Sequence, residues 1–243
     1  MKNVFITGIS KGVGLRLAKK ILNENEFVIY GTSRSCPPDL EKLLKEYPDR
    51  LKWKACDLEQ SLLVEECLFK DFLDPKAVPI HAFVNNAAIL YKDLITRIDS
   101  GDLNQLININ LVSPILLTKN VIKNFLYHKT PGSIVHLSSI CAHRGFNGLS
   151  MIGATKGGIE SFSRTTAKEY GRKGIRSNSV VIGILDIGMS FSVTEKQRDD
   201  IFTSSALNNY TDVESVINTI GYLLSDDAKS ITGQNIHVNA GVI

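Results

Sequence analysis

The stretch "TGISKGVG", Thr7 to Gly14, decides the fold of this chain. It follows a short β-branched run, "NVFI", and leads into a segment with apolar residues at helical spacing. Glycines let the backbone turn sharply and approach a pyrophosphate, whose charge is favoured by unpaired N–H groups at a helix N-terminus. The stretch therefore predicts a dinucleotide-binding loop between a strand and a helix. A tight turn without a ligand is the alternative.

The rest of the chain alternates β-branched runs with helical patterns. The runs are "NVFITG", "EFVIYGTS", "RLKWKACD", "PIHAFVNNA", "GSIVHLSS", "GIRSNSVVIG" and "GQNIHVNA". The segments with apolar residues at helical spacing are Gly14–Asn23, Pro38–Tyr47, Leu58–Phe72, Asp102–Tyr127 and Ser150–Gly171. Such alternation implies βαβ units and a parallel sheet. We therefore expect one α/β domain over residues 1–243: a Rossmann-type, doubly wound domain with a seven-stranded, mostly parallel sheet flanked by helices.

A polar region from Ser190 to Tyr210 interrupts this alternation. Long segments without regular structure in a compact domain are often functional loops. We expect this region to form a mobile lid over the site.

Composition and charge exclude several classes of protein. Hydrophobic residues make up 43% and charged residues 22% of the chain, which is typical of soluble globular domains. A net charge of +3 with scattered lysines does not favour nucleic acid as a partner. No apolar run reaches the roughly 18 residues that span a bilayer, and "MKNVFITG" leads into a strand rather than a signal peptide. We expect a cytoplasmic protein without membrane association.

The cysteines show no C-x-x-C spacing, so we expect reduced thiols, with neither a disulfide framework nor a metal site. They are Cys36, Cys56, Cys67 and Cys141.

The end of the second predicted strand indicates which cofactor is used. In "YGTSRS", Ser33 and Arg34 stand where a carboxylate would bind the ribose hydroxyls of NAD. Arg34 and Lys11 can hold a 2′-phosphate through charge-assisted hydrogen bonds, whereas a carboxylate would repel it. The sequence therefore predicts NADP. Two solvated surface cations are the alternative.

These motifs, in this order, resemble the short-chain dehydrogenase/reductase superfamily from end to end, and in particular its 3-oxoacyl-acyl-carrier-protein reductase-like members. Thr7–Gly14 matches the family's glycine motif, Asp57 and Leu58 match its adenine-contacting pair, and Asn85–Ala87 match its N-N-A-G motif, with Ala88 in place of the glycine. From the motifs and the resemblance we expect cofactor contacts from Gly8, Ser10, Lys11, Gly12, Val13, Gly14, Ser33, Arg34, Asp57, Leu58, Asn85, Ala87, Lys156 and Gly183.

The resemblance also implies catalytic residues. Asn110 in "NINLVSP" stands where the family's asparagine organises a water chain to the lysine. Ser139 matches the serine that orients the substrate carbonyl. Lys156 matches the lysine that binds the nicotinamide ribose and lowers the pKa of a tyrosine. That tyrosine is the family's proton donor, and in this sequence its position holds Ile152.

Two further isoleucines depart from the family pattern around the nicotinamide. Ile182 replaces a proline and Ile187 replaces the threonine that usually meets the carboxamide. Together with Ile152 they predict a drier, more apolar pocket. Loss of a general acid typically slows a reaction by about 10²- to 10⁴-fold, so a substitute proton donor is needed for full activity.

His143 is the predicted substitute donor. It follows Ser139 on the same loop and has an unperturbed pKa near neutrality, unlike the other side chains nearby. The alternative is a loop histidine beside Arg144 with no chemical role. We expect Cys141 to line the substrate pocket.

Three functions agree with these observations. The first, which we favour because Asn110, Ser139 and Lys156 are all present, is NADP-dependent reduction of a carbonyl or conjugated enone. The second is a nucleotide-binding protein without catalysis, a sensor or structural partner. The third is a non-redox reaction on the same fold. The loops that would surround the site are apolar, so we expect a small or medium apolar substrate. By resemblance we expect a homodimer or homotetramer that pairs through Asp102–Tyr127 and Ser150–Gly171.

Overall fold

A parallel sheet organises the computed structural model, which describes residues 1–24, 27–70, 72–185 and 203–242. The strands are β1 (Lys2–Thr7), β2 (Phe27–Ser33), β3 (Leu51–Ala55), β4 (Ala82–Asn85), β5 (Gly132–Ser139), β6 (Ile175–Ile182) and β7 (Asn235–Val238). Every neighbouring pair is parallel, in the order β3-β2-β1-β4-β5-β6-β7. This confirms the predicted single α/β domain with a doubly wound, seven-stranded sheet.

Helices cover both faces of the sheet. Those described are α1 (Gly12–Glu24), α2 (Pro38–Glu46), α3 (Val64–Phe69), α4 (Ser100–Ile107), α5 (Ser113–His128), α6 (Ser150–Tyr170) and α7 (Val213–Leu224). The side chain of Asp212 caps the start of α7, accepting hydrogen bonds from the N–H groups of Glu214 and Ser215. This helix was not among the segments predicted from the sequence.

Two predicted helices are interrupted. The segment Asp102–Tyr127 is divided between α4 and α5 by a π-helical turn, Asn108–Val112. The segment Leu58–Phe72 contains a 3₁₀ turn, Ser61–Leu63, followed by the short helix α3. In both cases the apolar spacing identified the buried face but not the change in helical geometry.

The core has two layers, one on each face of the sheet. Alternate side chains of β1 enter different layers: Val4 and Ile6 belong to one apolar cluster and Phe5 to the other. Leu17 of α1 and Ile220 of α7 complete the first cluster, whereas α3 and α5 cover the second. A parallel sheet buried on both faces explains the almost continuous apolar runs of its strands.

The sheet places the predicted site at the carboxyl ends of its strands. The chain runs from β1 outward to β2 and β3, and then returns to β4 on the other side of β1. In such sheets ligands bind outside the carboxyl ends of the strands, at the point where the order reverses. Gly8, Arg34, Asn86 and Gly183 each directly follow the last residue of a strand, and Ser139 is the last residue of β5.

Some predictions fall outside the described residues. Ile187 and most of the predicted lid, residues 190–202, belong to this part of the chain. Within the ranges that the structure describes, no helix has the length and apolar character needed to cross a membrane.

Candidate functional site

The loop between β1 and α1 has a shape that requires glycine. Gly8 and Gly12 have φ angles of +73° and +60°, in the left-handed region. A Cβ atom on Gly14 would lie 2.3 Å from the carbonyl oxygen of Gly8, so α1 approaches the loop too closely for any other residue. At Gly12 a Cβ atom would meet nothing within 4 Å, because the loop is open there. The N–H groups of Gly8 and Ile9 donate to the carbonyl oxygen of Thr32, and the rest of the loop leads into the N-terminus of α1, which fits a pyrophosphate.

Asn86 fixes this loop to β4. Its Nδ2 atom donates to the carbonyl oxygens of Thr7, at 2.8 Å, and of Gly8, at 3.0 Å. The hydroxyl of Thr7 accepts hydrogen bonds from the N–H groups of Asn86 and Ala87. The first asparagine of the pair, Asn85, is 3% exposed and its Nδ2 lies 3.3 Å from Nδ1 of His136.

Two cations, Arg34 after β2 and Lys11 in the glycine loop, have no ion-pair partners among the described residues. Arg34 and Lys11 are both exposed and both line the same cavity. Ser33, by contrast, is buried: its hydroxyl donates to the carbonyl oxygen of Ser35 and accepts from Nε1 of Trp53. Trp53 therefore positions Ser33, a contact that sequence reasoning missed because the two residues lie on neighbouring strands.

A cavity of about 350 Å³ connects the glycine loop with Lys156. Most residues predicted to contact the cofactor or substrate line it: Gly8, Ser10, Lys11, Gly12, Val13, Ser33, Arg34, Asp57, Leu58, Ala87, Ser139, Lys156 and Gly183. Four predicted residues do not line it: Gly14, Asn85, Asn110 and His143. For Gly14 the reason is close packing beneath the loop, and for Asn85 it is burial within the sheet.

Lys156 and Ile152 lie one turn apart on α6 and face the same cavity. They are 8% and 5% exposed, respectively. The Nζ atom of Lys156 donates to the carbonyl oxygen of Leu137 at 2.7 Å. Burial lowers the pKa of Lys156 to about 8, an effect that the nearby Cys141 and Glu160 oppose.

Ser139 ends β5 and begins a 3₁₀ turn, Ile140–Ala142. Its hydroxyl oxygen accepts a hydrogen bond from the N–H of Cys141 at 3.2 Å. The Cys141 thiol lines the cavity too, and burial raises its pKa, which favours the protonated thiol.

Asn110 lies within the π-helical turn and is 1% exposed. Its side chain accepts from the N–H of Ile89 and donates to the carbonyl oxygen of the same residue, both at 2.9 Å. It thereby fixes the loop after β4, which lines the cavity through Ile89 and Leu90. π-helical turns are frequent at functional sites. The role of Asn110 in a water chain stays a prediction.

His143 is directed away from the cavity, so its placement does not fit the predicted role of proton donor. Its Nε2 atom lies 2.9 Å from the carboxylate of Glu160, which is nearly fully buried. The same carboxylate accepts hydrogen bonds from Ser138 and Asn235. The prediction rested on closeness to Ser139 in sequence. The intervening 3₁₀ turn, with three residues per turn, sends successive side chains in different directions.

No metal centre or disulfide is found in the described part of the chain. The four cysteines are free thiols there. Those same residues contain no group of three or more His, Cys, Asp or Glu side chains able to hold a metal ion.

Comparison with known proteins identifies the family. A family model described as "Enoyl-(Acyl carrier protein) reductase" matches residues 8–243. The 3-oxoacyl-[acyl-carrier-protein] reductase FabG of Rickettsia felis is 31% identical over 242 residues, covering 100% of this chain and 97% of the relative. The chain belongs to the short-chain dehydrogenase/reductase family. It is therefore related to oxidoreductases that bind a nicotinamide cofactor.

Other relatives differ in their named substrates. FabG of Buchnera aphidicola is 29% identical and L-xylulose reductase of Caenorhabditis elegans is 28% identical, each covering 99% of this chain and at least 95% of the relative.

Solved structures of family members share the fold. One, 4-hydroxyisoleucine dehydrogenase complexed with NADH, has a TM-score of 0.91 at 25% identity and covers 100% of this chain and 98% of its own. Another, a variant of ElxO with NADPH bound, has a TM-score of 0.85 at 27% identity and covers 99% of this chain and 98% of its own. The two titles name different nicotinamide cofactors.

Proposed function

We propose that this protein is an NADPH-dependent reductase that acts on a carbonyl or conjugated enone of a small or medium apolar substrate. The observation that carries the proposal is one cavity lined by the glycine loop, by Ser139 and by Lys156. A protein that only bound a nucleotide would have no evident need for Ser139 beside the lysine.

The choice of NADPH is supported by charge. Arg34 and Lys11 lie at the end of the cavity where a 2′-phosphate would bind, and Ser33 takes the place of a carboxylate there. The first turn of α1 contains no acidic residue, so its positive end is available to phosphate groups.

The chain's own residues account for the chemistry around the substrate. When bound, the reduced nicotinamide supplies a hydride. Ser139 orients the substrate oxygen by hydrogen bonding, and Lys156 holds the ribose and a positive charge beside the reacting oxygen. Ile152 and Ile182 keep water from this end of the cavity. In such a dry environment charge interactions gain strength.

An apolar substrate is supported by the far wall of the cavity. Side chains that could contact it are hydrophobic and lie on the loops after β4, β5 and β6. They are Ile89, Leu90, Ile140, Phe146, Leu149, Ile184 and Leu185. Pockets of this kind bind ligands mainly through apolar contact, with a few polar groups that set orientation. Because FabG relatives are named for 3-oxoacyl groups, 3-oxoacyl thioesters belong in the first substrate panel.

Absorbance of the reduced nicotinamide tests the function. Purified protein is mixed with NADPH and with ketones, enones and 3-oxoacyl thioesters, and oxidation is followed in stopped-flow and steady-state measurements. We expect NADPH oxidation that depends on one substrate class. Tight NADPH binding with no oxidation by any compound would contradict the proposal.

A second candidate is a nucleotide-binding protein without catalysis. Ile152 favours it, because the family's proton donor would stand at this position. In that case the protein would act as a sensor or as a structural partner of an active homologue.

We also propose a cytoplasmic protein that assembles as a homodimer or homotetramer through α5 and α6. Leu126 and Tyr127, near the end of α5, are exposed hydrophobic side chains that support such an interface. Light scattering during size-exclusion chromatography tests it, and a monomer at all concentrations would contradict it.

A further inference from the structure

The apolar end of the cavity contains few side chains that carry a transferable proton. Among the described residues that line this end, they are Ser138, Ser139, Cys141 and Lys156. The remaining lining residues there are aliphatic, aromatic or glycine. Any proton donor on this part of the chain must come from these four.

Three of the four are poor candidates. The Ser138 hydroxyl donates to the Glu160 carboxylate at 2.5 Å and is occupied. Burial raises the pKa of the Cys141 thiol, which makes it a weaker acid. Ser139 is an alcohol, which hardly ionises at neutral pH, and it suits orientation of the substrate.

Lys156 carries protons that it can donate, and a hydrogen bond fixes its position. An ammonium group has three N–H donors. One is directed to the carbonyl oxygen of Leu137, and no other acceptor for the ammonium is found in the described ranges. The side chain is 8% exposed and lines the cavity, so the other two donors are available to a ligand there.

We propose that the Lys156 ammonium itself protonates the substrate oxygen. This role rests on the proposed reductase function, which supplies the hydride. A carbonyl carbon that gains a hydride leaves a negative charge on its oxygen. An N–H bond of Lys156 breaks, an O–H bond forms on that oxygen, and Lys156 becomes a neutral amine. The amine then regains a proton from solvent, so the protein returns to its starting state.

Ile152 suits this role. A side chain without a polar group at this position neither donates a proton nor competes for the substrate oxygen. It also keeps the ammonium out of water, and burial lowers the pKa of Lys156 to about 8. A general acid works best when its pKa lies near the working pH, so this lysine is a better donor than an exposed one.

The titratable groups around Lys156 give it a simple pH dependence. His136 of β5 is fully buried, and burial lowers its pKa to about 3, with the charge of Lys156 as a second cause. His136 is therefore neutral near pH 7. Cys141 on the 3₁₀ turn is a protonated thiol, and Glu160 on α6 is shared among Ser138, His143 and Asn235. Among these groups, Lys156 has the pKa of about 8 that lies between pH 7 and 9.

The first test measures the proton on Lys156 without catalysis. A small neutral amine-reactive reagent, fluorodinitrobenzene, is applied to the protein over a range of pH, and modification of each lysine is quantified by mass spectrometry. Exposed Lys168, on the same helix, serves as the reference for reagent behaviour. We expect Lys156 labelling to rise with a midpoint near pH 8 and NADPH to protect it. A midpoint above pH 10 would overturn the proposal.

The second test replaces the lysine by a cation that does not release its proton. In Lys156→Arg the charge stays and the acid function is lost, because guanidinium is not deprotonated in proteins. With ethyl acetoacetate and acetoacetyl thioester as probes, wild-type kcat should fall tenfold per pH unit above about pH 8. At saturating NADPH the variant should be about 10²-fold slower or worse, with a flat pH profile.

The outcomes separate this role from the proposed function. Absence of NADPH oxidation by the wild type with every compound in the panel overturns both. Oxidation by the wild type, with the same rate and alkaline limb in Lys156→Arg, overturns the role of Lys156 alone. Because the labelling test uses the wild type, the proposal stays falsifiable if the arginine variant does not fold.

Discussion

The two ends of the cavity are built in different ways. Backbone atoms form the glycine-loop end, through left-handed glycines, the close approach of α1 and the hydrogen bonds from Asn86 to the loop. Arg34 and Lys11 are exposed at its rim. Side chains form the other end, which is the apolar end described above and is here called the lysine end. It has one buried cation, Lys156, among isoleucines. A pyrophosphate can be bound by backbone N–H groups once glycines give the loop its shape, whereas proton transfer needs one particular side chain at one position. Binding can therefore be kept while the chemistry changes.

The largest effect is expected at the glycine-loop end. In Gly14→Ala the new Cβ atom would lie 2.3 Å from the Gly8 oxygen and 2.6 Å from Nδ2 of Asn86, so the loop backbone must move. Overpacking of this kind costs about 1–3 kcal/mol. If the displaced loop must return to its shape to bind the nucleotide, that cost corresponds to a loss of about 5- to 150-fold in NADPH affinity. Isothermal titration calorimetry measures it.

Gly157→Ala is the matched control. A Cβ atom there meets nothing within 4 Å, and the residue lies inside α6. We expect unchanged NADPH affinity and a gain of up to about 1 kcal/mol in the free energy of unfolding, since alanine favours a helix over glycine. Equal affinities in the two variants would mean that backbone shape does not control binding.

The next prediction changes the lysine end. Ile152→Tyr should raise the rate of carbonyl reduction with NADPH by up to about 10²-fold, the lower part of the range for a general acid. The phenol would lie one helical turn before Lys156, whose charge would lower the phenol pKa. Ile152→Phe is the control for added ring volume. A tyrosine variant that binds NADPH normally and reduces no ketone would favour the non-catalytic function.

Burial of the Lys156 charge should lower the free energy of unfolding. Its pKa is lowered from the ordinary 10.5 to about 8. The unfolded chain binds more protons between these values, so the stability of the wild type should rise as pH increases from about 8 to 10.5. At pH 7, Lys156→Met removes the cost of the buried charge, about 3 kcal/mol. It also leaves the Leu137 oxygen unpaired, at about 1 kcal/mol.

The net gain at neutral pH is then about 2 kcal/mol, or a rise of roughly 4–8 °C in Tm for a chain of this size. Scanning calorimetry at several pH values checks it. The gap between variant and wild type should shrink above pH 8. A methionine variant that is less stable than wild type at pH 7 would show that the charge is well stabilised in the folded protein.

Residues predicted for the glycine-loop end line the cavity more completely than those predicted for the lysine end, for a physical reason. The loop is a local feature, because its glycines, the preceding strand and the following helix are continuous in the chain. The positions of Asn86, Trp53 and Glu160 depend on neighbouring strands or on contacts across the sheet. In the "NN" pair the residue with the structural contacts to the loop is Asn86, because side chains alternate along a strand and Asn85 is directed inward.

Helix geometry was also hard to foresee. A π-helical turn adds one residue to a helical turn without breaking the run of apolar residues, so Asp102–Tyr127 was predicted as one helix. Pro114, at the start of α5, was the available signal, because proline is favoured in the first turn. In α7 the β-branched residues Val213, Val216 and Ile217 weaken the helical preference, and the N-cap residue Asp212 is the sequence signal for the start of the helix.

A smaller effect is expected on the preference for NADPH over NADH. In Arg34→Ala the affinity for NADPH should fall about tenfold or more, equivalent to roughly 1.5–3 kcal/mol for a hydrogen bond to a charged group, while NADH affinity stays nearly constant. Arg172→Ala, at an exposed position in the turn after α6, controls for the loss of one positive charge. Calorimetry with both cofactors checks the ratio. Equal affinity of the wild type for NADH and NADPH would disprove the assignment.

The smallest effect is expected at His143, and it compares the two candidate donors directly. The imidazole binds Glu160 outside the cavity, so His143→Asn should change kcat by less than about twofold and leave the alkaline limb in place. The histidine–carboxylate contact is partly exposed on the histidine side, and its loss should cost no more than about 1 kcal/mol. Glu160 would still accept hydrogen bonds from Ser138 and Asn235, which limits the loss of stability.

The pH profiles of His143→Asn and Lys156→Arg should therefore differ. If Lys156 is the donor, only the arginine variant loses the dependence on pH, because only the lysine protons face the substrate. If His143→Asn instead lowered the rate tenfold and removed that dependence, the histidine would have to reach the cavity in the working enzyme. The lysine end would then contain a proton donor that moves into the cavity. The two ends would differ in flexibility as well as in residue composition.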